Sequence, residues 1–177
     1  MHPVISRLLV VKGFFLGGFV RDFLIRGEKF QDIDYSFHYP FALSDSDTSI
    51  FDQYQIIHLN DSEESKRRIN GLYFHYCPDF YYYDLSCNLF GFDKDGFFPL
   101  PSYHLFDLNK AWELILDKKF YKLCDGKLTT QKMLRQNWEM VGEIQDKENQ
   151  IIHHDRNGIW NDYNKIAKQR LNELVYR

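Results

Sequence analysis

Apolar and polar residues alternate most cleanly between Phe30 and Phe37, where Ile33, Tyr35 and Phe37 interleave with Asp32, Asp34 and Ser36. A period of two predicts a strand with one face in the core and one polar face. Upstream, the apolar run Val10 to Leu16 predicts a strand or a short buried segment, broken by Gly17 and Gly18. Phe19 to Ile25 sets Val20, Phe23 and Leu24 on one side and predicts a helix that Gly27 ends. Ser44 to Ser49 reads as a loop or helix start, Tyr54 to Leu59 as a strand, and Asn60 to Arg68 as a charged surface connection. Two aromatic runs, Leu72 to Tyr76 and Phe80 to Leu85, flank Cys77-Pro78-Asp79 and predict a hairpin. Asp93 to Gly96 predicts a further turn.

The period changes beyond Leu105. Asp125-Gly126 is a turn, and Thr129 or Thr130 caps a helix running to about Ile144. A last helix, Ile159 to Val175, carries Ile166, Leu171 and Val175 among lysines and arginines. The order of elements predicts an α+β fold: a mixed sheet with flanking helices in residues 1–100, then a mostly helical extension, 101–177, packed on it.

Composition narrows the class. The chain has 177 residues, 44% of them hydrophobic, with sixteen Phe and twelve Tyr, so much of the core is aromatic. The net charge of −3 argues against a surface that wraps nucleic acid unaided. Cys77, Cys87 and Cys124 are odd in number and lack CxxC spacing, which favours buried thiols and a reducing, cytoplasmic setting over a disulfide framework. No apolar segment reaches the roughly 20 residues of a membrane span. The apolar N-terminus is interrupted by Lys12, which disfavours a secretory signal.

Two local patterns carry candidate chemistry. Gly17-Gly18 before a helix lets backbone approach a ligand closely, and amides at a helix start favour an anion such as a triphosphate. Arg21 can pair with phosphate oxygens, and Asp22 can orient Arg21 or cap an amide. Asp32 and Asp34, two apart on a strand, point to the same face, and paired carboxylates suit Mg²⁺. Taken singly, the first pattern is equally a tight turn and the second a solvated strand face.

In combination and order they are more specific. Leu16, Gly17, Gly18, Val20, Arg21, Asp22, Leu24 and Ile25, followed by Asp32 and Asp34, resemble the head domain of CCA-adding enzymes and bacterial poly(A) polymerases. Those enzymes belong to the DNA polymerase beta-like nucleotidyltransferase superfamily. The spacer here is one residue longer, the glycine is displaced to Gly27, and Gln31 stands where that family has Lys. Asp84, Ser86 and Asn88, with the turn Asp93 to Gly96, resemble a second family segment, so the likeness runs from about Val11 to Gly96.

The resemblance implies a nucleotidyltransferase-type mixed sheet bearing three carboxylates on adjacent strands. It implies Mg²⁺ held by Asp32, Asp34 and a third group, for which Asp84 is preferred and Asp79 is the fallback. Leu72 to Tyr76 offers only His75 at the place where CCA-adding enzymes carry that third carboxylate. Gly17, Gly18, Arg21 and Asp22 would then bind a nucleoside triphosphate. The expected reaction moves a nucleoside monophosphate to an acceptor hydroxyl, first of all an RNA 3′ end such as that of tRNA. A protein or small-molecule acceptor is the alternative, as is a non-catalytic binding module working with a protein partner. The tRNA-gripping domains of that family have no counterpart here, and only Met133-Leu134-Arg135 faintly resembles the helix that follows its head. An unrelated α+β fold with a chance motif would leave Asp32 and Asp34 far from Gly17-Gly18 and from Asp84.

Three other features read as structural. His153-His154-Asp155 is a surface turn, Tyr81-Tyr82-Tyr83 is strand packing, and Lys165, Lys168, Arg170 and Arg177 form a solvated helix face.

Overall fold

The computed structural model describes residues 1–38, 66–69, 72–77, 84–124, 127–144 and 147–174. The expectations for Ser44 to Ser49, Tyr54 to Leu59, Asp79, Tyr81 to Tyr83, Asp125-Gly126, Val175 and Arg177 lie outside the described residues.

The chain opens with helix α1, Pro3–Val10, whose Val4, Ile5 and Leu8 are buried. Lys12 turns the chain with a positive φ of 62°, so strand β1 begins only at Gly13 and spans Gly13–Leu16. The strand expected from Val10 is therefore shorter, because the apolar residues before it belong to α1. Both faces of β1 are covered: Phe15 joins the main core, while Phe14 and Leu16 pack with Phe98 and Leu100. Helix α2, Phe19–Ile25, is of the wide π type. It ends as the sequence implies, with Gly27 at a φ of 68°.

Strand β2, Asp32–Phe37, keeps its period of two: Ile33 and Tyr35 are buried, and Asp32 and Asp34 are half-buried on the opposite face. Strands β3, Lys66–Ile69, β4, Leu72–Tyr76, β5, Phe90–Asp93, and β6, Gly96–Pro99, complete a six-stranded sheet in the order β3-β4-β2-β1-β5-β6. It is mixed: β1 is antiparallel to β2 and β5, whereas β4 runs parallel to β2. Lys66–Ile69 is thus a strand, where a surface connection was expected up to Arg68. Of the predicted hairpin, the first arm forms β4. Both edges of β4 are taken, by β3 and β2, and Leu85 bridges Lys122; the rest of the expected second arm, Phe80 to Tyr83, lies outside the described residues. Lys94 and Asp95 form the expected turn of the β5–β6 hairpin.

The region after residue 100 is less helical than its sequence suggests. Helices α3, Leu108–Leu116, and α4, Lys127–Arg135, alternate with strands β7, Lys119–Lys122, and β8, Glu139–Glu143, which pair in parallel. The predicted helix to Ile144 stops at Arg135; Asn137 takes a φ of 67°, reversing the chain into β8. Thr129 and Thr130 lie inside α4, which begins at Lys127. A short 3-10 turn, Ile159–Tyr163, leads into helix α5, Asn164–Glu173.

The fold is α+β, with one aromatic core running through both halves of the chain. Trp112 of α3 meets Phe90 and Phe97 edge-on at 5.0 and 4.9 Å, and Trp160 lies 5.2 Å from Phe90. Arg170 of α5 is not solvated as expected: its guanidinium donates to the carbonyls of Leu24 and Ile25 at 2.7 and 3.0 Å, capping α2. Lys165 and Lys168 are exposed. No helix among the described residues is long and apolar enough to cross a membrane.

Candidate functional site

The polar face of β2 opens on a cavity of about 670 Å³, within the size range of small-molecule sites. Gly17, Gly18, Arg21, Asp22, Asp32 and Asp34 all line it. Antiparallel pairing of β1 and β2 brings them together: Leu16 stands opposite Asp34, so the glycines that follow β1 arrive beside the Asp34 carboxylate.

The two glycines also meet a local steric requirement. Gly17 has a φ of 67°, and a Cβ there would come within 2.6 Å of Asp34 Oδ2. Only glycine combines that conformation with that neighbour. A Cβ on Gly18 would lie 3.3 Å from the Arg21 guanidinium and 3.5 Å from Asp22 Oδ2.

Arg21 is buried and held by three side-chain hydrogen bonds. Its Nε and Nη2 donate to the two carboxylate oxygens of Asp22, each at 2.8 Å, and Nη1 donates to Asn88 Oδ1 at 2.8 Å. Its guanidinium also sits 5.5 Å from the centre of the Trp138 ring. Burial alone pulls the Arg21 pKa down, but the Asp22 pair outweighs it and holds the group above its ordinary value. Asp22 therefore orients Arg21, one of the two roles the sequence allowed, and Arg21 braces the cavity wall.

Much of the remaining wall comes from residues distant in sequence. Lys29, Lys118 and Lys132 line the cavity with Thr129, Met133 and Trp138. None of these lysines was singled out in the sequence, since no local pattern links them. Lys118, just after α3, takes a left-handed φ of 60°. Met133 does line the cavity, whereas Leu134 and Arg135 are exposed.

Asp84 stands apart. It lies outside the sheet, is not among the cavity-lining residues, and is hydrogen-bonded to Thr129, which does line the cavity. Burial pushes its pKa up, with the Thr129 contact and Lys122 acting the other way. Parallel pairing of β2 and β4 places His75, not a carboxylate, level with Asp34. His75 Nδ1 lies 3.0 Å from Asp34 Oδ1. Among the described residues, Asp34, His75 and Cys77 are the group of potential metal ligands whose donor atoms all fall within 4.8 Å of one another; Asp32, Asp34 and Asp84 form no such group.

The other candidates stay structural. No metal-ligand cluster forms around His153 and His154 among the described residues. The three cysteines are free; burial pushes the Cys87 thiol up to about 12, leaving it inert.

No protein-family model, no curated protein and no solved structure matches this chain.

Proposed function

We propose that the cavity binds a nucleoside triphosphate with Mg²⁺ and that the protein is a nucleotidyltransferase of the polymerase beta-like type. The observation that carries this reading is the convergence of six residues, Gly17, Gly18, Arg21, Asp22, Asp32 and Asp34, on one cavity with three lysines. A strand carrying two carboxylates beside a cationic rim suits a polyanion neutralised by a hard divalent ion.

Asp32 and Asp34 are the residues that would hold Mg²⁺, and their all-oxygen donors fit it: Mg²⁺ takes one or two carboxylates and fills its shell with water and phosphate oxygens. Bound there, it supplies charge neutralisation and alignment of the phosphates. Lys29, Lys118 and Lys132 offer the remaining positive charge to the triphosphate. Arg21, locked by Asp22 and Asn88, fixes the turn that carries Gly17 and Gly18. In the reaction an acceptor hydroxyl oxygen bonds to the α-phosphorus and gives up its proton to solvent, the bond to the bridging oxygen breaks, and pyrophosphate leaves. An RNA 3′ end, a protein hydroxyl and a small molecule are the acceptors to compare.

The test is transfer of label from each of four α-labelled nucleoside triphosphates, with Mg²⁺ and either total tRNA or cell protein. The expected result is label on one acceptor, reduced at least roughly 100-fold in Asp32→Asn, the scale on which electrostatic contacts to a transition state register. Absence of any Mg²⁺-dependent triphosphate binding would overturn the reading.

One observation favours a second reading, a nucleotide-binding module without transfer. The place beside Asp34 on the neighbouring strand holds His75, and Asp84 does not line the cavity. Triphosphate binding without transfer to any acceptor supports this alternative.

A further inference from the structure

Strand β4 ends in His75-Tyr76, and Cys77 follows it. The Cys77 N–H donates to Tyr35 O at 2.8 Å, extending the ladder one residue past β4. His75 and Cys77 therefore stand two apart on an extended segment, on the same face. That face is also Asp34's: His75 Nδ1 lies 3.0 Å from Asp34 Oδ1 and 3.5 Å from Cys77 Sγ. All three donor atoms fall within 4.8 Å of one another.

Those separations have a chemical meaning. Donors bonded to one tetrahedral zinc ion at about 2.0–2.3 Å lie about 3.3–3.6 Å from each other. The nitrogen–sulfur distance already falls there, and the nitrogen–oxygen distance needs to open by only a few tenths of an ångström. The set is one imidazole, one thiol and one carboxylate. Mg²⁺ and Ca²⁺ select oxygen, whereas nitrogen and sulfur together select zinc and its borderline-soft neighbours. The side chains of His75 and Asp34 retain 41% and 25% of their exposure, which gives an ion a path in and leaves room for another ligand.

We propose that Asp34, His75 and Cys77 form a site for a zinc-class divalent ion, with three protein ligands and a fourth position open to water or substrate. The site goes beyond the nucleotide reading and stands on its own donor geometry; Asp34 is common to both. Binding forms a metal–sulfur bond and releases the thiol proton to solvent. His75 ligates through Nδ1, so its ring proton resides on Nε2. Three protein ligands with one open position is the arrangement of zinc sites that do chemistry, whereas structural zinc is closed by four.

Cobalt substitution tests this, because Co²⁺ in a sulfur-containing site absorbs through thiolate-to-metal charge transfer. The full chain, stripped by chelator, is titrated with Co²⁺ and then with Zn²⁺ or Mg²⁺. One equivalent of Co²⁺ is expected to give a charge-transfer band that Zn²⁺ bleaches and Mg²⁺ does not. Cys77→Ser removes the band, and His75→Ala weakens cobalt binding more than about tenfold, the scale at which even outer-shell partners register. Asp32→Asn keeps the band while losing Mg²⁺-dependent triphosphate binding, so the two readings fail separately. The proposal is overturned by a folded wild-type chain with no charge-transfer band. It is equally overturned by a band that survives Cys77→Ser, which places the thiolate at Cys87 or Cys124, or by one that vanishes in Asp32→Asn.

Discussion

Gly17 occupies a position where two requirements meet. Its φ of 67° costs an L-residue about 1–2 kcal/mol, and a methyl there would press on Asp34 Oδ2 at 2.6 Å. Asp34 is the flexible partner, so relief comes from moving its carboxylate away from Asp32 and His75. Gly17→Ala is therefore expected to lower stability by about 1–2 kcal/mol in urea unfolding and to weaken Mg²⁺-dependent triphosphate binding more than that loss explains. A variant with wild-type affinity would mean that Asp34 does not depend on the Gly17 turn. At this scale the sequence was most informative. The alternation that exposes Asp32 and Asp34 depends only on neighbours along one strand, and so does the glycine pair. The sequence offers only His75 where the resemblance calls for a third carboxylate. The place of His75 beside Asp34 follows from a parallel register that no local pattern encodes.

Between elements, the arginines act as caps across the core. Arg170 of α5 donates to the last carbonyls of α2, and its guanidinium approaches so closely that a Cβ on Gly27 would lie 2.8 Å from it. Arg26, just past α2, returns the arrangement by donating to Ile115 O and Leu116 O at the end of α3, at 2.8 and 2.6 Å. Helix ends leave carbonyls without partners, and a cation there answers both the hydrogen bonds and the dipole. Because α2 carries Arg21 and Asp22, loosening its end reaches the cavity wall. Arg170→Met keeps much of the apolar stem and removes the cap. It is expected to cost about 1–2 kcal/mol and to speed hydrogen exchange of α2 amides more than those of β5 and β6. Equal acceleration everywhere would mean only a global loss. The extent of α2 was legible, since Gly27 marks its end, but its cap comes from a residue that reads as solvated in its own helix. The strands β7 and β8 were hidden for a related reason: they stand outside the main sheet and pair with each other, and their short alternations sit between helical stretches.

Across the whole molecule, the two halves of the chain are joined by an aromatic core and by one buried charge. Asp93, in the β5–β6 hairpin, accepts from Arg156 through both carboxylate oxygens, from His38 Nε2 at 2.9 Å and from the Asp95 N–H at 2.8 Å. Three segments far apart in sequence thus meet on one carboxylate. Burial alone would raise its pKa, but His38, Arg156 and the Asp95 amide outweigh it and bring it down to about 2. The folded pKa lies below the unfolded one, so this contribution is complete above about pH 4 and is lost as pH falls toward 2. Its size is about 2 kcal/mol, which for a chain of this length corresponds to about 5 °C in the unfolding midpoint. Asp84 is shifted upward by burial and tilts stability the other way over acid pH, so the wild-type curve alone mixes the two. The difference between wild type and Asp93→Asn isolates the first. That difference in midpoint is expected to be largest near pH 6 and to shrink steadily between pH 4 and 2. A gap that stays constant, or widens, on acidification would mean that the Asp93 charge does not hold the C-terminal segment to the sheet.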